Sequence, residues 1–193
     1  NYAPAHNNLG IALQKRNRLP EAIGHFQQAL RLRPRYPEAH YNLGAAFEKA
    51  DRPNDAVREY ERALALRPDY ADAHYNLGLL LGRLGQLDAA IIQFQETLRV
   101  NPNAADAYNN MGVTLDRLGR PAEAIHQYQE AIRVRPDFAR AHFNLGVALA
   151  GAGRLADAGQ QFEAALRLKP DYAEAQTNLS TVRLLMTSPG GKP

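Results

Sequence analysis

The chain has 193 residues, of which 45% are hydrophobic and 22% charged, with a formal net charge of +3. These are the values of a folded chain rather than a disordered one, and the absence of cysteine excludes a disulfide framework, a thiolate zinc site and a cysteine nucleophile. No apolar run approaches the roughly 20 residues that a bilayer span needs, and no signal peptide opens the chain, which favours a cytoplasmic placement.

Read from its start, the chain repeats itself. Asn-Leu-Gly stands at Asn8-Leu9-Gly10, Asn42-Leu43-Gly44, Asn76-Leu77-Gly78 and Asn144-Leu145-Gly146, with Asn110-Met111-Gly112 and Asn178-Leu179-Ser180 in phase. Prolines 34, 68, 102, 136 and 170 keep the same 34-residue step, as do Phe26, Tyr60, Phe94, Tyr128 and Phe162. Such a period is the signature of a repeat array. Five units run 3–36, 37–70, 71–104, 105–138 and 139–172. Residues 173–186 read as a solvating C-terminal cap, because Gln176, Ser180 and Arg183 replace the His, Gly and apolar residue of the other units. Residues 187–193 read as a flexible tail. Asn1-Tyr2 occupies the last two positions of a unit, the remnant of a preceding repeat, and the chain starts with Asn1 rather than methionine. We therefore expect upstream repeats and a weak self-association through repeat one.

Each unit reads as two helices, A and B. In 37–70, Ala39, Leu43, Ala46 and Phe47 have helical spacing, Asp51 and Pro53 interrupt, and Ala56, Val57, Tyr60, Ala63 and Leu64 resume it. The turn between the helices carries Asn17, Asp51, Gly85, Gly119 or Gly153, residues that tolerate the left-handed conformation. Asp69, Asn103, Asp137 and Asp171 are expected to cap the next helix, and Asp171 with Glu174 has capping-box spacing. Gly10, Gly44, Gly78, Gly112 and Gly146 lie inside helix A, where glycine costs up to ~1 kcal/mol against alanine. Close approach of helix B explains that cost, with Ala22, Ala56, Ala90, Ala124 and Ala158 expected opposite.

These positions resemble the tetratricopeptide repeat (TPR) family: Leu43, Gly44, Phe47, Ala56, Tyr60, Ala63 and Pro68 match its pattern, and equivalent residues match in the other four units. The resemblance implies an all-α fold, a right-handed superhelix (α-solenoid) of antiparallel helix pairs with helix A on the concave face. Stacked helix pairs that cannot bury their apolar faces alone lead to the same architecture. One departure is systematic. The family's helix A aromatic is His6, His40, His74 and His142 here, with Tyr108 and Gln176 completing the row. These histidines are expected to fill the slot between helices A and B. Neighbouring repeats stand roughly 10 Å apart, so two such histidines cannot share one zinc ion at about 2 Å.

Catalytic and cofactor chemistry has no foothold. Gly151-Ala152-Gly153-Arg154-Leu155-Ala156 spells a dinucleotide fingerprint but lacks the strand that must precede one. Asn178-Leu179-Ser180 spells a glycosylation sequon inside a helix. No triad and no carboxylate pair stands out from the repeat, so no enzyme activity, cofactor or metal is expected.

The candidate site is a row of asparagines. Asn8, Asn42, Asn76, Asn110, Asn144 and Asn178 occupy a mid-helix position in all six A helices, although asparagine is a mediocre helix former. They either bond to the neighbouring helix and set the stacking, or line the groove. An amide matches the one donor and one acceptor of a peptide unit, so a lined groove would hold an extended polypeptide without reading its sequence. Tyr41, Tyr75 and Phe143 add flat apolar surface beside them, and Lys49, Arg83 and Arg117 add a basic row at the end of helix A. Helix-dipole complementarity explains that row equally well, as it does the acidic row Glu38, Asp72, Asp106 and the helix B row Arg33, Arg67, Arg135, Lys169. An asparagine row at this place resembles the TPR superhelix of O-linked N-acetylglucosamine transferases and their bacterial relatives, where it contacts polypeptide backbone. The resemblance implies that role for the six asparagines. A carboxylate clamp is not expected, because no lysine precedes these asparagines. The leading expectation is a non-catalytic scaffold for a protein or peptide partner. The alternatives are the substrate-presenting arm of a larger glycosyltransferase-type enzyme and a self-assembling structural array. The scattered charges argue against a nucleic-acid partner.

Overall fold

The computed structural model describes residues 2–187 and shows eleven helices and no strand among them. Asn1 and residues 188–193, most of the expected tail, lie outside the described residues. Thr187 belongs to the last helix, one residue beyond the expected end of the cap.

The chain forms two compact units, divided after Val100. The first holds α1 (Ala3–Lys15), α2 (Leu19–Leu32), α3 (Pro37–Lys49), α4 (Pro53–Leu66), α5 (Ala71–Arg83) and α6 (Leu87–Val100). The second holds α7 (Ala105–Arg117), α8 (Pro121–Val134), α9 (Ala139–Gly151), α10 (Leu155–Leu168) and α11 (Ala173–Thr187). Odd-numbered helices are A helices. Within each unit an A helix packs on its own B helix and on the B helix before it wherever the unit holds both, as α3 does on α4 and α2, or α9 on α10 and α8, while α11 packs on α10 alone among the B helices. Successive A helices also touch: α1 meets α3, α7 meets α9, and α9 meets α11.

Packing inside a repeat centres on one ring. Phe26, Tyr60, Phe94, Tyr128 and Phe162 are fully buried and lie directly over the helix A glycines. A Cβ built on Gly10 or Gly112 would stand 2.6 Å from Phe26 or Tyr128. The close approach is thus made by the aromatic ring rather than by the alanines, which are buried alongside it. The two tyrosines differ from the three phenylalanines for a local reason. Tyr60 donates its hydroxyl to Glu48 (3.0 Å) and Tyr128 to Asp116 (2.7 Å). The same helix A position is Gln14, Gly82 or Ala150 where the ring is phenylalanine.

The helix A histidines tie three elements together. In α3 the two ring nitrogens of His40 lie 2.7 Å from Glu59 of α4 and 3.1 Å from the carbonyl of Pro34, which ends the previous repeat. His74 bridges Gln93 and Pro68, and His142 bridges Gln161 and Pro136, at 2.7–3.0 Å. His6 meets His25 of α2 instead.

Turns follow the sequence expectation and caps do not. Asn17, Asp51, Gly85, Gly119 and Gly153 all have positive φ. The N-caps of α5, α7 and α9, however, are Tyr70, Ala104 and Phe138, one residue later than the expected Asp69, Asn103 and Asp137, and none makes a side-chain cap bond. The acids' carbonyls are used instead: Ala71 and Ala139 donate to Asp69 and Asp137 at 3.1 Å. For the same reason Asp171 and Glu174 form no capping box, since α11 starts at Ala173 and Tyr172 accepts from Gln176. An aromatic holds that position because it packs there. Tyr70 lies 5.0 Å from Tyr41 and Tyr172 4.9 Å from Phe143, ring to ring. Arg67, Arg135 and Lys169 sit over Tyr70, Phe138 and Tyr172 at 4.0–4.9 Å, within the range of a cation–π attraction. Arg67 also pairs with Glu38, and Arg135 with Asp106. Arg67 and Arg135 of the helix B row and Glu38 and Asp106 of the acidic row are therefore each other's partners, a more specific account of these four than the helix dipole.

Candidate functional site

The asparagine row lies where successive A helices meet. In the first unit Asn42 donates its Nδ2 to Oδ1 of Asn7 (3.0 Å), and Asn76 donates to the Tyr41 hydroxyl (2.9 Å). In the second unit Asn144 donates to Oδ1 of Asn109 (2.9 Å). Each bond runs from a row asparagine to the residue just before the row asparagine of the preceding repeat. One donor of each amide is thus spent on stacking, as the structural alternative required. The amide oxygens of Asn42, Asn76 and Asn144 meet no donor among the described residues, and all three side chains are half-buried. A pinned amide with an unused acceptor is pre-oriented for an N–H group. Asn8 is exposed, and Asn110 and Asn178 are half-buried like the others.

The residue before each asparagine supports this arrangement from below. Asn7 and Asn109 are buried. Tyr41, Tyr75 and Phe143 are half-buried, with one side against the central ring of their own repeat: Tyr41–Tyr60 5.8 Å, Tyr75–Phe94 6.2 Å, Phe143–Phe162 5.9 Å. Burial, with the charge of Asp72 adding to it, holds the Tyr41 phenol above its ordinary value. The hydroxyl that receives Asn76 therefore stays neutral.

Two members of the basic row come together. Lys49 and Arg83 line one open recess of about 480 Å³ at the ends of α3 and α5, with Glu48, Asp51 and Leu84. Arg83 pairs with Glu48 at 2.6 Å, whose other oxygen accepts from Tyr60. The recess is thus mixed in charge rather than basic. Arg117 is exposed at the end of α7. Sequence reasoning did not find Glu48, although its signal was present: an acid twelve residues before the ring, only where the ring carries a hydroxyl.

Among the described residues no cluster of three or more His, Asp or Glu could hold a metal ion, and no helix is long and apolar enough to cross a membrane.

Family models described as "Tetratricopeptide repeat" match residues 109–173 and 71–104, and one described as "TPR repeat" matches 12–51 and 53–85, together most of the chain. The chain belongs to the tetratricopeptide repeat family. Solved TPR structures agree. The crystal structure of MamA is 28% identical, covers 86% of this chain and 96% of its own, and has a TM-score of 0.80. YrrB, described as a TPR protein with an unusual peptide-binding site, is 26% identical over 89% of both chains at a TM-score of 0.78. PilF of Pseudomonas aeruginosa is 19% identical, covers 97% of this chain and 92% of its own at 0.76, and shares the fold. No curated protein sequence matches the chain significantly. The fold is that of a TPR solenoid and the chain is a TPR scaffold.

Proposed function

We propose that this TPR scaffold is non-catalytic and holds an extended polypeptide against its A helices through the amide oxygens of the asparagine row. The observation that carries the reading is the unused oxygen on Asn42, Asn76 and Asn144, each fixed in direction by the bond its nitrogen makes to the repeat before. Within each unit, repeats about 10 Å apart meet an extended chain that rises about 3.3 Å per residue. One asparagine then serves roughly every third peptide unit, whatever the side chains. Tyr41, Tyr75 and Phe143 supply apolar surface at the same spacing. YrrB, a structural neighbour, binds peptide by its description.

The test compares two sets of changes at Asn42, Asn76 and Asn144, read by affinity for a library of unstructured peptides. Aspartate keeps an acceptor oxygen and loses the stacking donor. Alanine loses both. A lost bond costs about 0.5–1.5 kcal/mol, so both triple variants should melt earlier by a similar amount. Only the alanine variant should bind peptide at least tenfold more weakly. Equal affinity in the alanine variant and the unaltered chain would sink the reading.

A further inference from the structure

We propose a second binding site, independent of the A-helix row, in the groove between α2 and α4: it takes an acidic peptide segment that carries an apolar side chain. The groove has a volume of about 490 Å³. Its walls are arginines, Arg31 from α2 with Arg52, Arg58 and Arg62 at and along α4, and its floor is α3, where Leu43 and Phe47 are buried. Only two carboxylates answer four guanidinium groups. Asp55 is shared by Arg52 (2.5 Å) and Arg58. Glu59 is shared by Arg62 (2.6 Å) and His40 (2.7 Å). Arg31 forms no ion pair among the described residues. The groove therefore carries a surplus of at least two positive charges over an apolar floor.

The α4 half of the surplus does not belong to the fold. In the other repeats Arg58 is replaced by Gly24, Ile92, His126 and Gln160 and Arg62 by Gln28, Glu96, Glu130 and Ala164, whereas Arg52 recurs as Arg18, Arg120 and Arg154 and Arg31 as Arg99, Arg133 and Arg167. The packing partners beneath are kept one repeat later, with Leu43 matched by Leu77 and Phe47 by Leu81, all buried. A device of repeat packing recurs with the repeat, and the Arg58–Arg62 pair, which completes the set of four, does not. Each of Arg52, Arg58 and Arg62 is more than half exposed, and each guanidinium has five donors, so all retain N–H groups for further carboxylates. Arg52 lies 4.3 Å over the Phe47 ring, which holds one guanidinium flat on the floor. Carboxylates spaced along an extended peptide fit the walls, and an apolar residue between them fits beside Leu30 and Leu43. A nucleic-acid backbone would need a longer basic track than one repeat provides.

The experiment uses the whole chain and a fluorescein-labelled peptide with four glutamates around a central Leu-Phe pair. Its controls are the same peptide with lysines and a single-stranded oligonucleotide of equal charge. Three variants are compared. Arg58→Glu/Arg62→Glu reverses the α4 wall. Arg31→Glu reverses the α2 wall without breaking an ion pair. Arg99→Glu/Arg133→Glu changes total charge as much as the first, at exposed arginines that make the same pairing three residues back. The expected result is binding of the acidic peptide at least tenfold more tightly than either control, weakened at least tenfold by the first variant and threefold by the second, and altered less than twofold by the third. Equal losses in the first and third variants, tighter binding of the oligonucleotide, or no binding of the acidic peptide by the unaltered chain would each overturn the proposal.

Discussion

A single methyl group at Gly112 should destabilise this protein, whereas the same methyl at Gly24 should stabilise it. Both glycines lie inside helices, α7 and α2, so alanine gains about 0.5–1 kcal/mol of helix propensity at either place. At Gly24 nothing lies within 4 Å of the new Cβ, and the gain stands. At Gly112 the Cβ falls 2.6 Å from Cε1, 2.8 Å from Cδ1 and 3.0 Å from Cζ of Tyr128. Ordinary carbon contacts are about 3.5–4.0 Å, so the overlap is close to 1 Å. The ring is not free to yield, being 1% exposed and held by its hydroxyl on Asp116. Overpacking of this kind costs about 1–3 kcal/mol. The propensity gain cancels between the two variants, which should therefore differ by roughly 1–3 kcal/mol, or several degrees in melting temperature at about 2–4 °C per kcal/mol for a chain of this size. Calorimetry on Gly24→Ala, Gly112→Ala and Gly112→Ala/Tyr128→Leu reads the difference. The double change removes the ring that clashes, so its cost should be less than the sum of the single changes by at least about 1 kcal/mol. If Gly112→Ala melts with or above Gly24→Ala, the glycine is not there for the ring.

Two further outcomes follow from contacts of the same kind. Burial first, and then Glu48 and Asp116, raise the Tyr60 and Tyr128 phenols above their ordinary value. The folded state therefore holds these protons more tightly than the unfolded state, and the stability they contribute is intact below about pH 10 and lost above it at ~1.4 kcal/mol per pH unit for each phenol. Urea midpoints taken through that range should fall less steeply for Tyr60→Phe/Tyr128→Phe, and parallel curves would refute the assignment. Removing residues 173–193 should uncover the part of α10 on which Ala175, Leu179 and Val182 are buried and break the Arg183–Glu163 pair (2.8 Å). Light scattering should then show association, and a monodisperse truncated chain with an unchanged melting curve would show that α11 does not act as a cap.

The periodicity of 34 residues made the architecture legible because every structural demand in a TPR recurs at that step. Helix pairs and left-handed turn residues follow from local rules of propensity and sterics, and the helix A glycines recur in step with the helix B ring that lies over them. What sequence reasoning missed depended on pairs far apart in the chain. Asp69 looks like an N-cap by residue type, yet the helix begins after Tyr70, whose ring is claimed by Arg67 and Tyr41. Local preference lost to a packing contact that only the folded repeat creates. The charge rows misled in the same way, since a dipole account explains acid at a helix start without the partner that Glu38 finds in Arg67.

The asparagines show where the boundary falls between a recurring residue and its role. Six in phase exclude drift, but the sequence left two uses open, one toward the neighbouring repeat and one toward a ligand. The amide has two ends, and the structure assigns only one of them: Nδ2 of Asn42, Asn76 and Asn144 reaches the repeat before, and Oδ1 is left over. The two uses are therefore compatible, and the first prepares the second, because an amide that is free to rotate gives up entropy on binding and a pinned one does not. The partner position shows the same economy. Asn7, Tyr41 and Asn109 differ in size and polarity, yet each accepts one bond from the next repeat, so what recurs there is an acceptor atom at a fixed place rather than a residue type. A search by residue identity finds the donor row, and only the geometry finds the acceptors beneath it.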